Sequence, residues 1–280
     1  MELTSKRTIK EILERYTSKP QKTMGQNFLI DKSTLNKIVK SANLTKDDVV
    51  LEVGPGLGTL TKELAINSKR VIAIEKDRTM VEILKETLKE YDNIKILQGD
   101  ILKFNDYSLL TKNYKLVANI PYYLTSPLIR KFLESEHKPK EIILMIQKEV
   151  AQRICSTPPN MSLLAISVQF YAHAKIISYV SKNCFWPAPK IDSAIIKIVP
   201  NKEALFIESE LFFKVVKAGF SHPRKQLSNN LSKSLKIDKS KINEWLLNNK
   251  IKFEQRAETL SISDWQSLTK TYSIIVDKTN

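Results

Sequence analysis

The sequence predicts an α/β fold, in which a largely parallel sheet has helices on both faces, followed by a small, all-helical C-terminal domain. Apolar strand patterns and amphipathic helix patterns alternate from residue 30 to about residue 155. Such alternation is typical of parallel strands joined by crossover helices. From about residue 205 onward, only helical patterns follow. We therefore predict one domain over residues 1–203 and a second over residues 204–280.

Capping residues mark where several helices begin. An N-terminal amphipathic helix has Ile9, Ile12 and Leu13 on one side. Asp31 and Asp77 each precede a run with helical spacing, and an aspartate at that position accepts a hydrogen bond from a first-turn amide. Residues 126–127 are Ser-Pro, a pair typical of an N-cap and first helical position. The remaining predicted helices cover residues 59–66, 162–171, 208–218, 224–234, 239–249 and 263–272.

Short apolar runs mark the strands. Val49–Val53 and Glu141–Gln147 are almost uninterrupted, as expected for strands buried on both faces. The other predicted strands cover residues 70–75, 94–97, 115–120, 176–180 and 194–199.

Composition indicates a folded protein of a reducing cytoplasm. The chain has 280 residues, of which 42% are hydrophobic, so it can bury a core. Cys155 and Cys184 lack metal-ligand spacing, and we expect neither a zinc site nor a disulfide. The longest clear apolar run, Ile142–Ile146, is far shorter than the ~18 residues of a membrane span. We expect a cytoplasmic location without a signal peptide, a membrane partner or a bound metal.

The positive charge is unevenly distributed. The formal net charge is +15. Residues 211–256 hold 11 basic and 3 acidic side chains, and residues 1–40 hold 9 and 4, whereas residues 51–100 hold 8 and 9. Basic segments around a near-neutral centre favour a polyanionic partner such as nucleic acid. Solvated lysine faces are the alternative.

A glycine-rich turn predicts a cofactor site. Three of the six glycines lie in residues 54–58, between a predicted strand and a predicted helix. Glycine lets a ligand approach the backbone, and the helix N-terminus offers free N–H groups. The spacing G-x-G-x-G, with Glu52 two residues ahead, favours S-adenosylmethionine (SAM) over the G-x-G-x-x-G of nicotinamide dinucleotides. A nicotinamide cofactor or a purely structural turn stays open.

Three carboxylates complete this predicted site. Glu75 ends the next strand, where it can accept hydrogen bonds from both ribose hydroxyls. Asp100 follows the third strand and can accept one from an adenine amino group. We expect Glu52 to orient the amides of the glycine turn.

The strand at residues 115–120 leads into Asn119-Ile120-Pro121-Tyr122. The Asn119 side chain and the Ile120 carbonyl offer two hydrogen-bond acceptors, Pro121 fixes the backbone, and Tyr122 can stack on a planar group. Two acceptors on the hydrogens of an adenine amino group would draw its nitrogen toward tetrahedral geometry and free its lone pair for attack. The motif predicts methyl transfer to a nucleobase amine. A turn with a packing tyrosine is the alternative.

Further motifs carry a family resemblance. These are residues 25–29 (Gly-Gln-Asn-Phe-Leu), 147–150 (Gln-Lys-Glu-Val), 185–193 (Phe-Trp-Pro-Ala-Pro-Lys-Ile-Asp-Ser), 220–227 and 256–258 (Arg-Ala-Glu). In this order, together with the two motifs above, they resemble the ribosomal RNA adenine dimethyltransferases, especially the bacterial branch that modifies the small subunit. The resemblance covers nearly the whole chain.

The resemblance implies a Rossmann-like, SAM-dependent methyltransferase sheet with one antiparallel strand near its end. It implies dimethylation of two adjacent adenosines in the 3′-terminal hairpin of small-subunit ribosomal RNA, in a partly assembled subunit. We expect a monomer that acts in ribosome biogenesis and binds RNA through the C-terminal domain.

The resemblance also assigns residues by motif. The predicted cofactor contacts, including the second turn glycine, are Asn27, Leu29, Gly54, Gly56, Glu75, Asp100 and Asn119. The predicted catalytic set is Asn119, Ile120, Pro121, Tyr122 and Phe185, with Phe185 as the second aromatic face against the adenine. Arg224 and Lys225 would hold RNA phosphates.

Position 120 departs from the branch, which usually has leucine there. Isoleucine is common in relatives that methylate large-subunit RNA and confer antibiotic resistance. Residues 220–260 favour the small-subunit branch. A large-subunit methyltransferase, a DNA adenine methyltransferase, a non-catalytic ribosome assembly factor and a nicotinamide dehydrogenase are the alternatives.

Overall fold

The computed structural model describes residues 1–21, 24–201 and 208–277. The strands are β1 (Phe28–Leu29), β2 (Val49–Val53), β3 (Arg70–Glu75), β4 (Ile94–Gln98), β5 (Lys115–Asn119), β6 (Glu141–Gln147), β7 (Ala172–Val180), β8 (Phe185–Trp186) and β9 (Ser193–Pro200). The helices are α1 (Lys6–Arg15), α2 (Lys32–Ala42), α3 (Thr59–Asn67), α4 (Arg78–Thr87), α5 (Thr125–Glu134), α6 (Lys148–Ile154), α7 (Leu163–Gln169), α8 (Ser209–Gly219), α9 (Leu227–Leu235), α10 (Lys239–Asn248), α11 (Ile262–Lys270) and α12 (Tyr272–Asp277).

Seven strands form one mixed sheet in the order β4-β3-β2-β5-β6-β9-β7. The five strands from β4 to β6 pair in parallel, and β9 runs antiparallel to both of its neighbours. The predicted α/β class, with one antiparallel strand near the end of the sheet, is confirmed. Because β2 lies between β3 and β5, the carboxyl ends of these three strands meet at one edge.

Both faces of the sheet are covered. All five residues of β2 are buried, which requires helices on either side of it. On one face, α2 and α3 pack with Val50, Val117 and Ile143 into a single apolar cluster. The uninterrupted apolar runs of the sequence are therefore explained by burial on two sides.

A buried lysine holds the opposite edge of the sheet. Lys115 Nζ donates to the carbonyl oxygens of Ala42 at 2.9 Å and Asn43 at 2.8 Å. It also pairs with Asp48 at 3.1 Å and with Glu141 at 3.3 Å. A buried charge is tolerated only when it is paired and hydrogen-bonded in this way. The network fixes the end of α2 against the starts of β5 and β6.

The predicted caps are confirmed at two helices, and a third prediction is wrong. Asp31 Oδ1 accepts from the Thr34 amide at 2.6 Å, and Asp77 Oδ1 accepts from the Thr79 amide at 2.9 Å. Residues 126–127 do not begin α5, which starts at Thr125 directly after a 3₁₀ turn at residues 122–124. The Thr125 hydroxyl donates to the Tyr122 carbonyl at 2.9 Å, so the turn continues into the helix without a separate cap.

The chain divides into two compact units. The first contains residues 1–152 and 172–200, and the second contains residues 153–171 and the described residues from 201 onward. The predicted boundary between residues 203 and 204 lies outside the described residues. The prediction assigned residues 153–171 to the first domain, but they belong to the second unit because their apolar side chains join its core. For example, the Phe170 ring stacks on the Phe212 ring with 4.1 Å between the ring centroids.

The second unit is helical and packs around Trp265, which is fully buried. Gly219, at the end of α8, lies directly beneath this ring: a Cβ at that position would sit 2.3 Å from Trp265 Cη2 and 3.1 Å from Leu227 Cδ1. Glycine is required there by the close approach of α8 to α11. No helix in the described ranges is long and apolar enough to span a membrane.

We predict that Gly219→Ala lowers the free energy of unfolding by about 1–3 kcal/mol, because a methyl group forced against a buried indole overpacks the core. Denaturant titration followed by tryptophan fluorescence measures it, since two of the three tryptophans, Trp245 and Trp265, lie in this unit. Gly99→Ala is the control, because a Cβ there meets nothing within 4 Å. Equal stabilities of the two variants would contradict the packing argument.

Candidate active site

One cavity at the carboxyl edge of the sheet gathers the predicted pocket residues. It contains about 1260 Å³ of empty space including its open mouth. Its lining includes Asn27, Leu29, Gly54, Gly56, Glu75, Asp100, Asn119, Ile120, Pro121, Tyr122 and Phe185. These residues come from six separate segments of the first unit, and the sheet order brings them together. Their individual roles stay predictions.

The glycine turn forms one wall. Gly54 and Gly56 have φ values of +66° and +59°, a conformation that side chains other than glycine rarely adopt. A Cβ on Gly56 would also lie 3.4 Å from the Phe28 ring. The turn leads to Gly58 and then to α3, which has no side-chain cap, so its first amides can donate to a carboxylate or phosphate.

Glu75 lines the cavity on a second side and is held there by backbone amides. Its Oε1 accepts from the amides of Lys76 at 2.8 Å and Asp77 at 2.9 Å, and its Oε2 accepts from Gly56 at 3.1 Å. Burial raises the pKa of Glu75, and these three amide hydrogen bonds oppose that shift. The carboxylate is therefore held in one orientation, tied to the glycine turn, while it lines the cavity.

Asp100 is held by a residue that the sequence analysis did not single out. Lys76 Nζ lies 2.9 Å from Asp100 Oδ2, and the Leu102 amide donates to Oδ1 at 3.0 Å. The Lys76 ammonium lowers the pKa of Asp100. The sequence could have indicated this ion pair. Lys76 follows the end of β3, Asp100 follows the end of β4, and the ends of these two parallel strands lie side by side.

The expected contact of Glu52 with the turn amides is wrong. Glu75, not Glu52, accepts from Gly56, and Glu52 Oε2 has no hydrogen-bond partner among the described residues. The neighbouring Thr61 Oγ1 is likewise unpartnered. Burial raises the pKa of Glu52 to about 8, so its carboxyl group is largely protonated at neutral pH.

The acceptor motif presents two free hydrogen-bond acceptors. Within the described residues, neither the side-chain amide of Asn119 nor the backbone carbonyl of Ile120 makes a hydrogen bond. Pro121 is packed against Gly25, where a Cβ would lie 3.3 Å from the proline ring. The Tyr122 hydroxyl lies 2.8 Å from Ser193 Oγ, which fixes the ring, and burial raises the pKa of this phenol.

Phe185 reaches the cavity through a second, two-stranded sheet. β8 pairs antiparallel with β1, with Leu29 opposite Phe185 and Phe28 opposite Trp186. Phe185 is buried in the same apolar cluster as Leu29. Backbone hydrogen bonds therefore join the strand of Leu29, a predicted cofactor contact, to the strand of Phe185, the predicted second aromatic face against the adenine.

The lining fits SAM. Turn amides and the start of α3 suit its carboxylate, and Glu75 suits the ribose diol. Asp100, with the apolar Ile101 and Leu102 directly after it, suits an adenine ring with an amino group. In the described ranges, no group of three or more His, Cys, Asp or Glu side chains is placed to hold a metal ion.

Arg224 and Lys225 lie in the second unit. Residues 221–226 are exposed, and α9 begins only at Leu227 rather than at residue 224 as predicted. The Lys225 amide closes a turn onto His222, and the Leu227 amide is held by the Gln255 carbonyl at 2.7 Å. The two basic side chains are therefore presented on an exposed loop.

Comparison with known proteins extends these observations. The family model described as ribosomal RNA adenine dimethylase matches residues 17–273. A ribosomal RNA small subunit methyltransferase A from Dehalococcoides mccartyi is 44% identical over 94% of this chain and 92% of its own length.

Two solved structures share the fold over most of the chain. A dimethyladenosine transferase from Plasmodium falciparum aligns with a TM-score of 0.75 and 27% identity, covering 89% of this chain and 98% of its own. The 23S rRNA methyltransferase ErmE aligns with a TM-score of 0.73 and 26% identity, covering 87% and 98%.

We predict that Glu52→Gln flattens the pH dependence of stability. Because the pKa of Glu52 is about 8 in the folded protein, against an ordinary value of 4.5, only the folded state keeps this proton between those pH values. The free energy of unfolding of the native chain therefore falls as pH rises through that window, by up to ~1.4 kcal/mol per pH unit from this group.

Denaturant titrations at pH 5, 6, 7 and 8 would show the variant losing less stability than the native chain. The exposed Glu90 provides the control Glu90→Gln. Parallel curves for native chain and Glu52→Gln would mean that Glu52 is ionised in the folded protein.

Proposed function

Because the chain belongs to the ribosomal RNA adenine dimethylase family, we propose that it dimethylates the exocyclic amino groups of two adjacent adenosines in the 3′-terminal hairpin of small-subunit ribosomal RNA. The methyl donor is SAM. One observation supports this above the others. A single cavity is lined both by Glu75, the carboxylate proposed to bind the ribose of SAM, and by the free hydrogen-bond acceptors of the Asn119–Tyr122 motif.

The cofactor is held at the carboxyl edge of the sheet. Gly54 and Gly56 would let it approach the backbone, Glu75 would accept hydrogen bonds from its ribose hydroxyls, and Asp100 would accept one from its adenine amino group. Asn27, directly before β1, and Leu29, in β1, would also contact it. Bound SAM supplies an electrophilic methyl group next to the acceptor motif.

The protein activates the adenine amine by positioning it. The lone pair of that nitrogen is delocalised into the ring, so the free base is a poor nucleophile. The Asn119 side-chain oxygen and the Ile120 carbonyl each accept one amine hydrogen, which favours tetrahedral geometry and directs the lone pair away from the ring. Both acceptors have no other partner among the described residues, so no bond must break before they act.

The two aromatic side chains hold the plane of the base. Tyr122, fixed by Ser193, and Phe185, fixed by the β1–β8 pairing, both line the cavity. A base in a hairpin must leave its stack to reach them. After transfer, the methylated nitrogen is positively charged and loses its proton to solvent, so no dedicated base is needed.

The small subunit is favoured over the large one. The curated relative that is 44% identical is named for the small subunit, whereas the large-subunit enzyme ErmE shares the fold at 26% identity. Ile120 does not decide between them, because only its backbone carbonyl acts in the site. A non-catalytic assembly factor is disfavoured because the cavity retains every predicted catalytic side chain.

The second unit contacts RNA phosphates through Arg224 and Lys225, which are exposed and lie in the segment with 11 basic and 3 acidic residues. The enzyme acts as a cytoplasmic monomer on a partly assembled small subunit.

We predict that Asn119→Ala leaves the dissociation constant for SAM within about tenfold but lowers methyl transfer by roughly a hundredfold or more, because it removes one of two acceptors that act on the amine. Isothermal titration and label transfer from SAM to unmodified small subunits measure the two quantities. The exposed Asn160 provides the control Asn160→Ala. Unchanged turnover in Asn119→Ala would remove that residue from the mechanism.

We also predict that replacing both Arg224 and Lys225 with glutamine weakens RNA binding and reduces the slope of log K against log salt by about 1 to 2, because two phosphate contacts are lost. Filter binding between low and moderate salt measures the slope. The control replaces the exposed Lys89 and Lys95, with the same change in net charge. If both double variants behave alike, the loop is not the phosphate contact.

A further inference from the structure

Tyr123 is an exposed aromatic residue beside the acceptor motif. Its exposed fraction is 59%, and it lines the same cavity as Tyr122 and Asn119. The other strongly exposed tyrosine in the described part of the chain, Tyr179 at 52%, does not line that cavity. A single exposed aromatic is ordinary on a protein surface. Tyr123 differs in its position at the mouth of a base pocket.

The backbone on both sides of Tyr123 is fixed. The Leu124 amide donates to the Pro121 carbonyl at 3.0 Å, and the Thr125 hydroxyl donates to the Tyr122 carbonyl at 2.9 Å. Leu124 is buried, and the Tyr122 ring is tied to Ser193. Tyr123 therefore presents its ring to solvent from a rigid turn, and ordering it against a ligand costs only side-chain freedom.

The proposed substrate places a second base at this mouth. Adjacent residues have Cα atoms 3.8 Å apart, so Tyr123 lies one step from the ring that contacts the target adenine. Extruding one adenosine from a hairpin unstacks the nucleotide joined to it. The base of that neighbouring nucleotide has lost a stacking partner, and the exposed Tyr123 ring offers it another.

From these observations, and resting on the proposed function, we propose that Tyr123 stacks on the nucleobase adjacent to the adenosine being methylated. Stacking uses the face of a base and not its amino group. Tyr123 therefore accepts the neighbouring adenosine equally well before and after dimethylation. This is the property that an enzyme needs when two adjacent adenosines take turns in one pocket.

The test compares Tyr123→Ala, Tyr123→Phe and the control Tyr179→Ala on unmodified small subunits. We expect Tyr123→Ala to lower kcat/KM about tenfold, equivalent to about 1.4 kcal/mol, which is in the range of a lost base stack. Tyr123→Phe keeps the ring and should retain the native value, and Tyr179→Ala should also retain it. The dissociation constant for SAM should be unchanged in all three.

A second arm uses subunits reconstituted with RNA that has an abasic nucleotide beside the target adenosine. The kcat/KM of the native enzyme should fall about tenfold on this substrate. The kcat/KM of Tyr123→Ala should be no lower on it than on the intact substrate, because removing the base and removing the ring abolish the same contact. A further, independent loss in Tyr123→Ala overturns the stacking proposal.

The remaining outcomes are equally decisive. If Tyr123→Ala behaves like Tyr179→Ala, or if it weakens SAM binding, Tyr123 is not the stacking residue. If the native enzyme transfers no methyl group to small subunits while still binding SAM, the proposed function itself fails, and the proposal for Tyr123 fails with it.

Discussion

The parallel pairing of β2 with β3 on one side and with β5 on the other is the constraint on which the site depends. Parallel strands end at the same edge, and ligands of open α/β sheets bind where the strand order reverses. Here that edge brings the glycine turn after β2, Glu75 of β3 and Asn119 of β5 into one cavity. Without that strand order, the cofactor and acceptor motifs, about sixty residues apart, would not meet.

The short β1–β8 sheet ties the two halves of the cavity together. Leu29, a predicted cofactor contact, pairs with Phe185, a predicted contact of the base, and Gly25 packs on Pro121. The strand with the predicted cofactor contact and the strand with the predicted aromatic face are therefore joined by backbone hydrogen bonds. Tyr122 is fixed separately through Ser193.

Sequence patterns predicted the fold well where burial alone decides structure. Val49–Val53 and Glu141–Gln147 have the predicted bounds because their apolar runs are buried on both faces. The strand-end position of Glu75 also followed from the alternation of elements. The start of α5 was missed, because the hydrogen bond from Thr125 to a preceding turn depends on tertiary placement of that turn. Residues 153–171 were misplaced for a similar reason, since their core partners lie later in the chain.

Within the site, properties set by three-dimensional neighbours were not readable from the sequence. The lack of a partner for Glu52 Oε2 among the described residues and the ion pair of Lys76 with Asp100 both depend on which groups surround them. The proposed reaction requires one pocket to hold SAM next to an extruded adenosine of small-subunit RNA. Its most direct test is to incubate the enzyme with labelled SAM and both ribosomal subunits from cells lacking this modification, then to map the modified nucleotides. We expect dimethylation of two adjacent adenosines in the 3′-terminal hairpin of the small-subunit RNA; label confined to large-subunit RNA, or no label, would contradict the account.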